Sequence, residues 1–229
     1  MILAAGLGTR LGALTRHTPK CLVEAGGAPM LAHVAARLRA AGVTRAAVNT
    51  HYLADAVVHF ISERGGLGLD LELFHEPEIL GTGGALKNAR AFLEQDGDFI
   101  VHNSDIYCDY DLRRLIACHR ERRALVTLGV LARRTESCLL RDEDGRMRGM
   151  WKAGQGDPPF DPVTFSGIQV IAPRIFQYMQ GDSCPFAVWT PYQRAIEAGE
   201  LLMTHDFGDA YWIDVGTPEQ LEQLRLKLQ

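Results

Sequence analysis

The stretch Met1-Ile2-Leu3-Ala4-Ala5-Gly6-Leu7-Gly8-Thr9-Arg10-Leu11-Gly12 decides how the rest of the chain is read. Met1 to Leu3 are apolar, as expected of a short buried strand, and they run straight into small residues and glycine. Glycine accepts positive φ and small side chains leave space, so the backbone of Leu3, Ala4, Ala5, Gly6, Gly8 and Thr9 can come close to a ligand. Successive N–H groups in such a loop form a concavity that suits an anion. Arg10 adds a planar fork for phosphate oxygens, and Pro19-Lys20 supplies a second cation on a stiffened turn. Two common phosphate-binding fingerprints are excluded. No Gly-Lys-Ser/Thr follows the glycines, and Leu11 stands where G-x-G-x-x-G needs its third glycine.

Working outward, helices and strands alternate. Pro29 to Ala41 reads as a helix, with Met30, Leu31, Val34 and Leu38 on one face and Gly42 ending it. Arg45 to Asn49 is a strand, Leu53 to Arg64 a helix and Leu69 to Phe74 a strand. Gly81 to Gln95 is a glycine-rich turn followed by a helix. Phe99 to His102 is a strand, Leu112 to Arg123 a helix, and Leu125 to Leu131 a continuous apolar run expected of a strand buried on both faces. The spacing predicts a mostly parallel sheet with right-handed crossovers.

After residue 135 the pattern changes. Cys138 to Arg141 and Arg146 to Met150, joined by Asp144-Gly145, read as a hairpin. Lys152 to Pro162 is rich in Gly, Asp and Pro and is expected to be a mobile loop; Thr164 to Ile171 is a strand. Short helices at Arg174–Met179 and Thr190–Ala198 and strands at Leu201–Phe207 and Tyr211–Asp214 follow. Thr217-Pro218-Glu219-Gln220 is a capping-box start for a last helix. The expected organisation is one α/β domain over 1–229, with one half running to about residue 134 and the other from about 135, sharing a Rossmann-like, mixed and mostly parallel sheet flanked by helices.

The composition, 47% hydrophobic and 23% charged in 229 residues, can fill a core. A net charge of −4 argues against a nucleic-acid partner, so any anion site is local. Five scattered cysteines without C-x-x-C spacing indicate free thiols in a reducing compartment, and neither a disulfide framework nor a zinc site. No apolar run approaches the roughly 18 residues of a membrane span, and no signal-peptide pattern opens the chain. The expectation is a cytoplasmic location with no membrane partner.

Two carboxylates stand at strand ends. His102-Asn103-Ser104-Asp105 follows an apolar strand, and Ile213-Asp214-Val215-Gly216-Thr217 repeats the arrangement of strand, Asp and glycine before a helix. Ligands of parallel sheets bind beyond the carboxyl ends of strands. Mg²⁺ takes one or two carboxylates together with phosphate oxygens and water, so Asp105 and Asp214 are candidate metal ligands. Glu76-Pro77-Glu78-Ile79-Leu80-Gly81-Thr82-Gly83-Gly84 is a further glycine-rich turn before a helix. Its carboxylate at Glu76 only accepts hydrogen bonds, which suits the paired donors of guanine if it reads a base directly.

G-x-G-T-R-L with P-K ten residues beyond the arginine resembles the signature of the sugar-nucleotide pyrophosphorylases, nucleotidyltransferases that join an NTP to a sugar 1-phosphate. The resemblance spans Met1 to about Gln220 and implies a nucleotide-binding half over about 1–134 and a sugar-binding half over about 135–229. It implies the nucleotide-diphospho-sugar transferase fold, Mg²⁺ held by Asp105 and Asp214, and catalytic cations at Arg10 and Lys20. It also implies a nucleotide site of Leu3, Ala4, Ala5, Gly6, Gly8, Thr9, Glu76, Gly81, Thr82 and Asn103. Thr164-Phe165-Ser166-Gly167-Ile168 is similar to the family's sugar-binding strand, implying sugar-phosphate contacts from Ser166, Gly167 and Lys152. Two departures stand out: Ser104 occupies a place where relatives often have Gly, and Trp151 replaces the acid of an acid-Lys pair. The short form resembles uridylyltransferases of N-acetylmuramate 1-phosphate and guanylyltransferases of mannose or heptose 1-phosphate, enzymes of cell-envelope nucleotide-sugar synthesis. Motif agreement favours UTP with N-acetylmuramate 1-phosphate; Glu76 favours GTP. The rivals are a cytidylyltransferase for a non-sugar alcohol phosphate and a non-catalytic sensor on the same fold.

Overall fold

The computed structural model describes residues 1–229. The chain opens with β1 (Ile2–Leu3), β2 (Glu24–Ala25), β3 (Ala28–Pro29), α1 (Met30–Ala40), β4 (Arg45–Thr50), α2 (Ala54–Glu63) and β5 (Asp70–His75). It continues through α3 (Gly81–Asn88), α4 (Arg90–Leu93), β6 (Phe99–Asn103), β7 (Ile106–Cys108), α5 (Leu112–Arg122), β8 (Val126–Leu131), β9 (Ser137–Arg141) and β10 (Met147–Lys152). It closes with β11 (Asp161–Ile171), α6 (Trp189–Glu197), β12 (Leu202–Asp206), β13 (Trp212–Asp214) and α7 (Pro218–Lys227). The architecture is a mixed, mostly parallel sheet flanked by helices.

Two compact units emerge. The first comprises Met1–Leu80, His102–Leu112 and Tyr211–Gln229, and the second Gly81–Val101 and Arg113–Ala210. A single cut near residue 134 does not describe them, because the chain leaves the first unit at Gly81, revisits it at His102 and returns with its last helix.

In the first unit the end of β6, β1, β4 and β5 lie side by side and parallel, with Ile2 opposite both His102 and Val48, and Val48 opposite Leu73. Two residues suffice for β1 because it is paired on both edges and Ile2 is fully buried. Helix α1 buries Met30, Leu31, Val34, Ala35 and Leu38, the face set by its three- and four-residue spacing, and stops before Gly42 at φ 88°. Leu11 shares a core with Val23, Met30, Ile213, Val215, Leu221 and Leu224, which ties the first loop to β13 and α7. Helix α7 is capped as its sequence predicts: Gln220 N–H donates to Thr217 Oγ1 at 3.4 Å, and Gln220 Oε1 accepts from Gly216 N–H at 3.0 Å.

In the second unit β8 is buried along its whole length and lies between antiparallel β11 and parallel β12. The β9–β10 hairpin pairs with the start of β11, Asp161 opposite Arg141. Strand β11 therefore begins at Asp161 and takes in the end of the expected mobile loop, because β9 supplies a pairing edge that composition does not reveal. Its ladder with β8 shifts register between Phe165 and Gln169, a bulge in which Gly167 has φ 79°. The glycine turn at 81–84 is also different from expectation: Gly81 to Gly84 are themselves the first turn of α3.

Candidate active site

Asp105 sits in the tight turn between β6 and β7. Strands β7 and β13 pair antiparallel, with Ile106 opposite Asp214, Tyr107 opposite Ile213 and Cys108 opposite Trp212. The Asp105 carbonyl accepts from Val215 N–H at 2.8 Å. This ribbon, lying wholly within the first unit, brings together two carboxylates that are far apart in sequence. Their proximity registers in the titration of Asp214. Burial first, and then the charge of Asp105, push its carboxyl above the usual range, against the pull of Lys20 and Arg10. Asp214 Oδ1 is buried and has no hydrogen-bond partner. Leaving such an acceptor unmet costs about 1–3 kcal/mol, which a cation at that atom offsets. A pair of carboxylates with an orphaned oxygen fits Mg²⁺, which completes its shell with water and phosphate.

The two cations expected at this place are there. Lys20 Nζ is in direct contact with Asp105 Oδ2. Arg10 Nη2 lies 3.8 Å from Asp214 Oδ2, and its side chain remains 63% exposed, free to meet a ligand. Two glycines make this arrangement possible. Gly8, at φ 66°, has the Lys20 stem against it: a Cβ there would fall 2.9 Å from Lys20 Cβ and from Thr15 Cγ2. Gly216 lies under the Arg10 guanidinium, 2.6 Å from Nη2 to a built Cβ. Gly8 thus makes room for protein, whereas a Cβ on Gly6 would meet open space, and Gly6 is the position where the loop backbone is bare.

A buried relay holds the start of this loop. Ala4 N–H donates to Asn49 Oδ1 at 2.8 Å, Asn49 Nδ2 donates to Glu76 Oε1 at 2.8 Å, and Leu80 N–H donates to Glu76 Oε2 at 3.0 Å. Asn49 and Glu76 are 4% and 1% exposed. The reading of Glu76 as a base reader is corrected here: both its oxygens are engaged and it is buried, so it braces the loop from behind. Asn49, which ends the apolar run Ala46-Ala47-Val48, was missed, and its signal was a polar residue closing a buried strand. Asn103, opposite Leu3 in the β1–β6 ladder, closes the same strand edge, with Ser104 N–H donating to the Leu3 carbonyl at 3.0 Å.

The remaining candidates lie in the second unit. Gly81 is half-buried and Thr82 exposed at the start of α3. Lys152 is exposed at the end of β10; its backbone N–H donates to Gln155 Oε1 at 2.8 Å. Trp151 faces the other way. It is 5% exposed, its indole N–H donates to the Gly156 carbonyl at 3.0 Å, and the Arg134 guanidinium stacks on its ring at 4.1 Å. Ser166, implied by the resemblance as a sugar-phosphate contact, is fully buried with its hydroxyl on the Ile168 N–H at 3.2 Å, so its side chain shapes the bulge.

Similarity to known proteins agrees with this geometry. Residues 1–138 match the family described as nucleotidyl transferase. The chain is 29% identical over 222 residues to a mannose-1-phosphate guanylyltransferase of Mycobacterium tuberculosis, covering 96% of this chain and 61% of that protein. It is 32% identical over 232 residues to an N-acetylmuramate alpha-1-phosphate uridylyltransferase of Caulobacter vibrioides, covering 96% and 92%. The chain thus spans about three fifths of this guanylyltransferase and of a similar one from Yarrowia lipolytica. Among solved structures, HddC from Yersinia pseudotuberculosis superposes with a TM-score of 0.82 at 26% identity, covering 100% of this chain and 98% of that one. A second HddC structure, complexed with GMP-PN, superposes at 0.80 with 25% identity.

Proposed function

We propose, from the premise that the chain belongs to the nucleotidyl transferase family, that it transfers a nucleoside monophosphate from an NTP to a sugar 1-phosphate, releasing pyrophosphate. The observation that carries this reading is the Asp105–Asp214 pair with its unmet Oδ1, flanked by Lys20 and Arg10. In the reaction a phosphate oxygen of the sugar 1-phosphate attacks the α-phosphorus of the NTP. The bond to the bridging oxygen breaks in line and the electron pair leaves with pyrophosphate. No general base is required, since the attacking phosphate is already anionic. The protein's task is positioning and charge neutralisation.

Each residue has a distinct part in this scheme. The backbone from Leu3 to Gly6, with Thr9 beyond it, is assigned to the nucleotide, with Gly8 seating the Lys20 stem beside it; Gly81 and Thr82, in the second unit, keep the nucleotide-binding role that the family resemblance implies. Arg10 faces the charge that grows on the departing pyrophosphate. Lys20 neutralises Asp105, so that two carboxylates can stand together. Asp105 and Asp214 would hold Mg²⁺, which supplies charge neutralisation at the phosphates. Lys152, exposed and cationic, is assigned to the sugar phosphate. No helix is long and apolar enough to cross a membrane, and all five cysteines are free thiols, which suits the proposed cytoplasmic location.

For the substrates, UTP with N-acetylmuramate 1-phosphate is supported by the Caulobacter relative, which this chain matches over 92% of its length. The side-chain argument for guanine falls with the engagement of Glu76. GTP with a mannose- or heptose-type phosphate is the second reading, supported by the similar guanylyltransferases and by the HddC neighbour complexed with GMP-PN. A pyrophosphate-release screen of four NTPs against a panel of sugar 1-phosphates tests both. Release with UTP and the N-acetylated amino sugar is the expected result. Turnover confined to CTP with small alcohol phosphates refutes the sugar assignment, and no turnover with any pair refutes the enzyme.

A further inference from the structure

The glycines at the start of α3 are not bare. Phe186 lies against them, and both belong to the second unit. Its carbonyl accepts from Gly83 N–H at 3.0 Å and from Gly84 N–H at 3.4 Å. A Cβ on Gly81 would fall 2.5 Å from that carbonyl oxygen, and one on Gly83 would fall 2.4 Å from the Phe186 ring. Two residues on, Val188 N–H donates to Thr82 Oγ1 at 3.0 Å. The segment is fastened at its other end as well: Lys87 Nζ donates to the Asp182 carbonyl at 2.7 Å, and both Arg194 Nη groups meet the Asp182 carboxylate at 2.7 and 2.8 Å. Residues 182–188 therefore form a strap laid over the first turn of α3 and tied to both α3 and α6.

This changes which groups the turn can offer. The inner amides, of buried Gly83 and Gly84, are spent on Phe186. The outer residues, exposed Thr82 and half-buried Gly81, keep accessible surface on the outer side of the turn, with Phe186 packed on the inner side of Gly81. A helix start whose first amides are unmet draws any acceptor that arrives. A helix start whose inner amides are capped by the protein presents a fixed and narrower set.

We infer that Phe186 is a positioning residue for the nucleotide: its ring and carbonyl hold the Gly81–Gly84 turn so that only the outer residues of the turn meet it. The inference rests on the proposed role of Gly81 and Thr82 in nucleotide binding. The ring acts through the turn and touches no reacting atom, so its loss shows in nucleotide affinity and leaves chemistry and the sugar phosphate alone.

The test is steady-state kinetics of Phe186→Ala, Phe186→Leu, Gly83→Ala and the double variant Gly83→Ala/Phe186→Ala, with KM measured for the NTP and the sugar 1-phosphate separately. Phe186→Ala is expected to raise KM for the NTP about tenfold, the scale on which misplaced binding groups act, with kcat and the sugar-phosphate KM within about twofold. Phe186→Leu, which refills part of the space, should recover much of the loss. Gly83→Ala should be as harmful alone, while in the double variant the 2.4 Å clash with the ring is gone and only the 3.1 Å approach to the Ala187 backbone remains, so the two losses fall well short of multiplying. Equal rises in both KM values, an unchanged NTP KM, or fully multiplicative losses overturn the inference while the enzymatic reading stands. A wild type that turns over no NTP overturns the enzymatic reading and this inference with it.

Discussion

Glu76→Gln is the perturbation whose consequence the structure fixes most tightly. Glu76 faces two donors, Asn49 Nδ2 at 2.8 Å and Leu80 N–H at 3.0 Å. Glutamine has one acceptor and one donor group in place of two acceptors. With its oxygen on Asn49, its amide nitrogen is set against Leu80 N–H. With the amide turned over, its nitrogen meets Asn49, which can turn in its own place and accept, but then Asn49 Nδ2 is set against Ala4 N–H. The mismatch is passed along the relay and ends on one loop or the other. One charge-assisted bond is lost and two donors are left facing each other, about 1–3 kcal/mol. For a chain of 229 residues that is a fall of about 5 °C in Tm, with a rise in KM for every NTP alike. Differential scanning fluorimetry and the pyrophosphate-release assay with UTP and GTP measure both quantities. The double variant Asn49→Asp/Glu76→Gln restores every bond: the aspartate accepts from Ala4 and from the glutamine amide, whose oxygen accepts from Leu80. It should recover most of the lost Tm. A single variant with unchanged Tm and an altered ratio of UTP to GTP turnover would refute the relay and make Glu76 a base reader. A double variant no more stable than Glu76→Gln would refute the bond accounting.

Asp214→Asn is expected to lower kcat about 10²-fold or more, close to 3 kcal/mol of barrier, at saturating Mg²⁺. Near-normal turnover would remove Asp214 from the proposed metal pair. Arg10→Ala should lower kcat more than it raises KM for the NTP, since charge on pyrophosphate grows toward the transition state; a change in KM alone makes Arg10 a binder only. Burial pushes His102 down to about 4, so the folded protein resists a proton that the unfolded chain accepts near pH 6.5. Its contribution to stability is complete above about pH 6.5 and declines as pH falls toward 4, reaching a loss of about 2 kcal/mol at pH 5. Urea midpoints at pH 7 and pH 5 should show that loss in the wild type and less of it in His102→Gln, and parallel losses in both would refute the assignment.

Local pattern carried much of the fold. The spacing of Met30, Leu31, Val34 and Leu38 and the run from Val126 to Leu131 announce α1 and β8, because burial on one face or two leaves its own period in the chain. The opening loop, its two cations and the two strand-end aspartates were legible for a related reason: close approach to phosphate needs glycine, and charge needs a fixed partner. What no local pattern contains is pairing between distant segments. The β7–β13 ribbon sets the register that places Asp214 beside Asp105, and a slip of one residue would turn one carboxylate to the other face. The orientation of Glu76 is decided by Asn49, a strand away, which is why an acceptor that looks suited to a base is turned inward. Gly81 and Gly83 read as openings for a ligand, and the fold fills them with Phe186, whose neighbour Val188 bonds to Thr82 across 106 residues of chain. A glycine in sequence states only that something comes close; the tertiary structure decides whether that is the protein or its substrate.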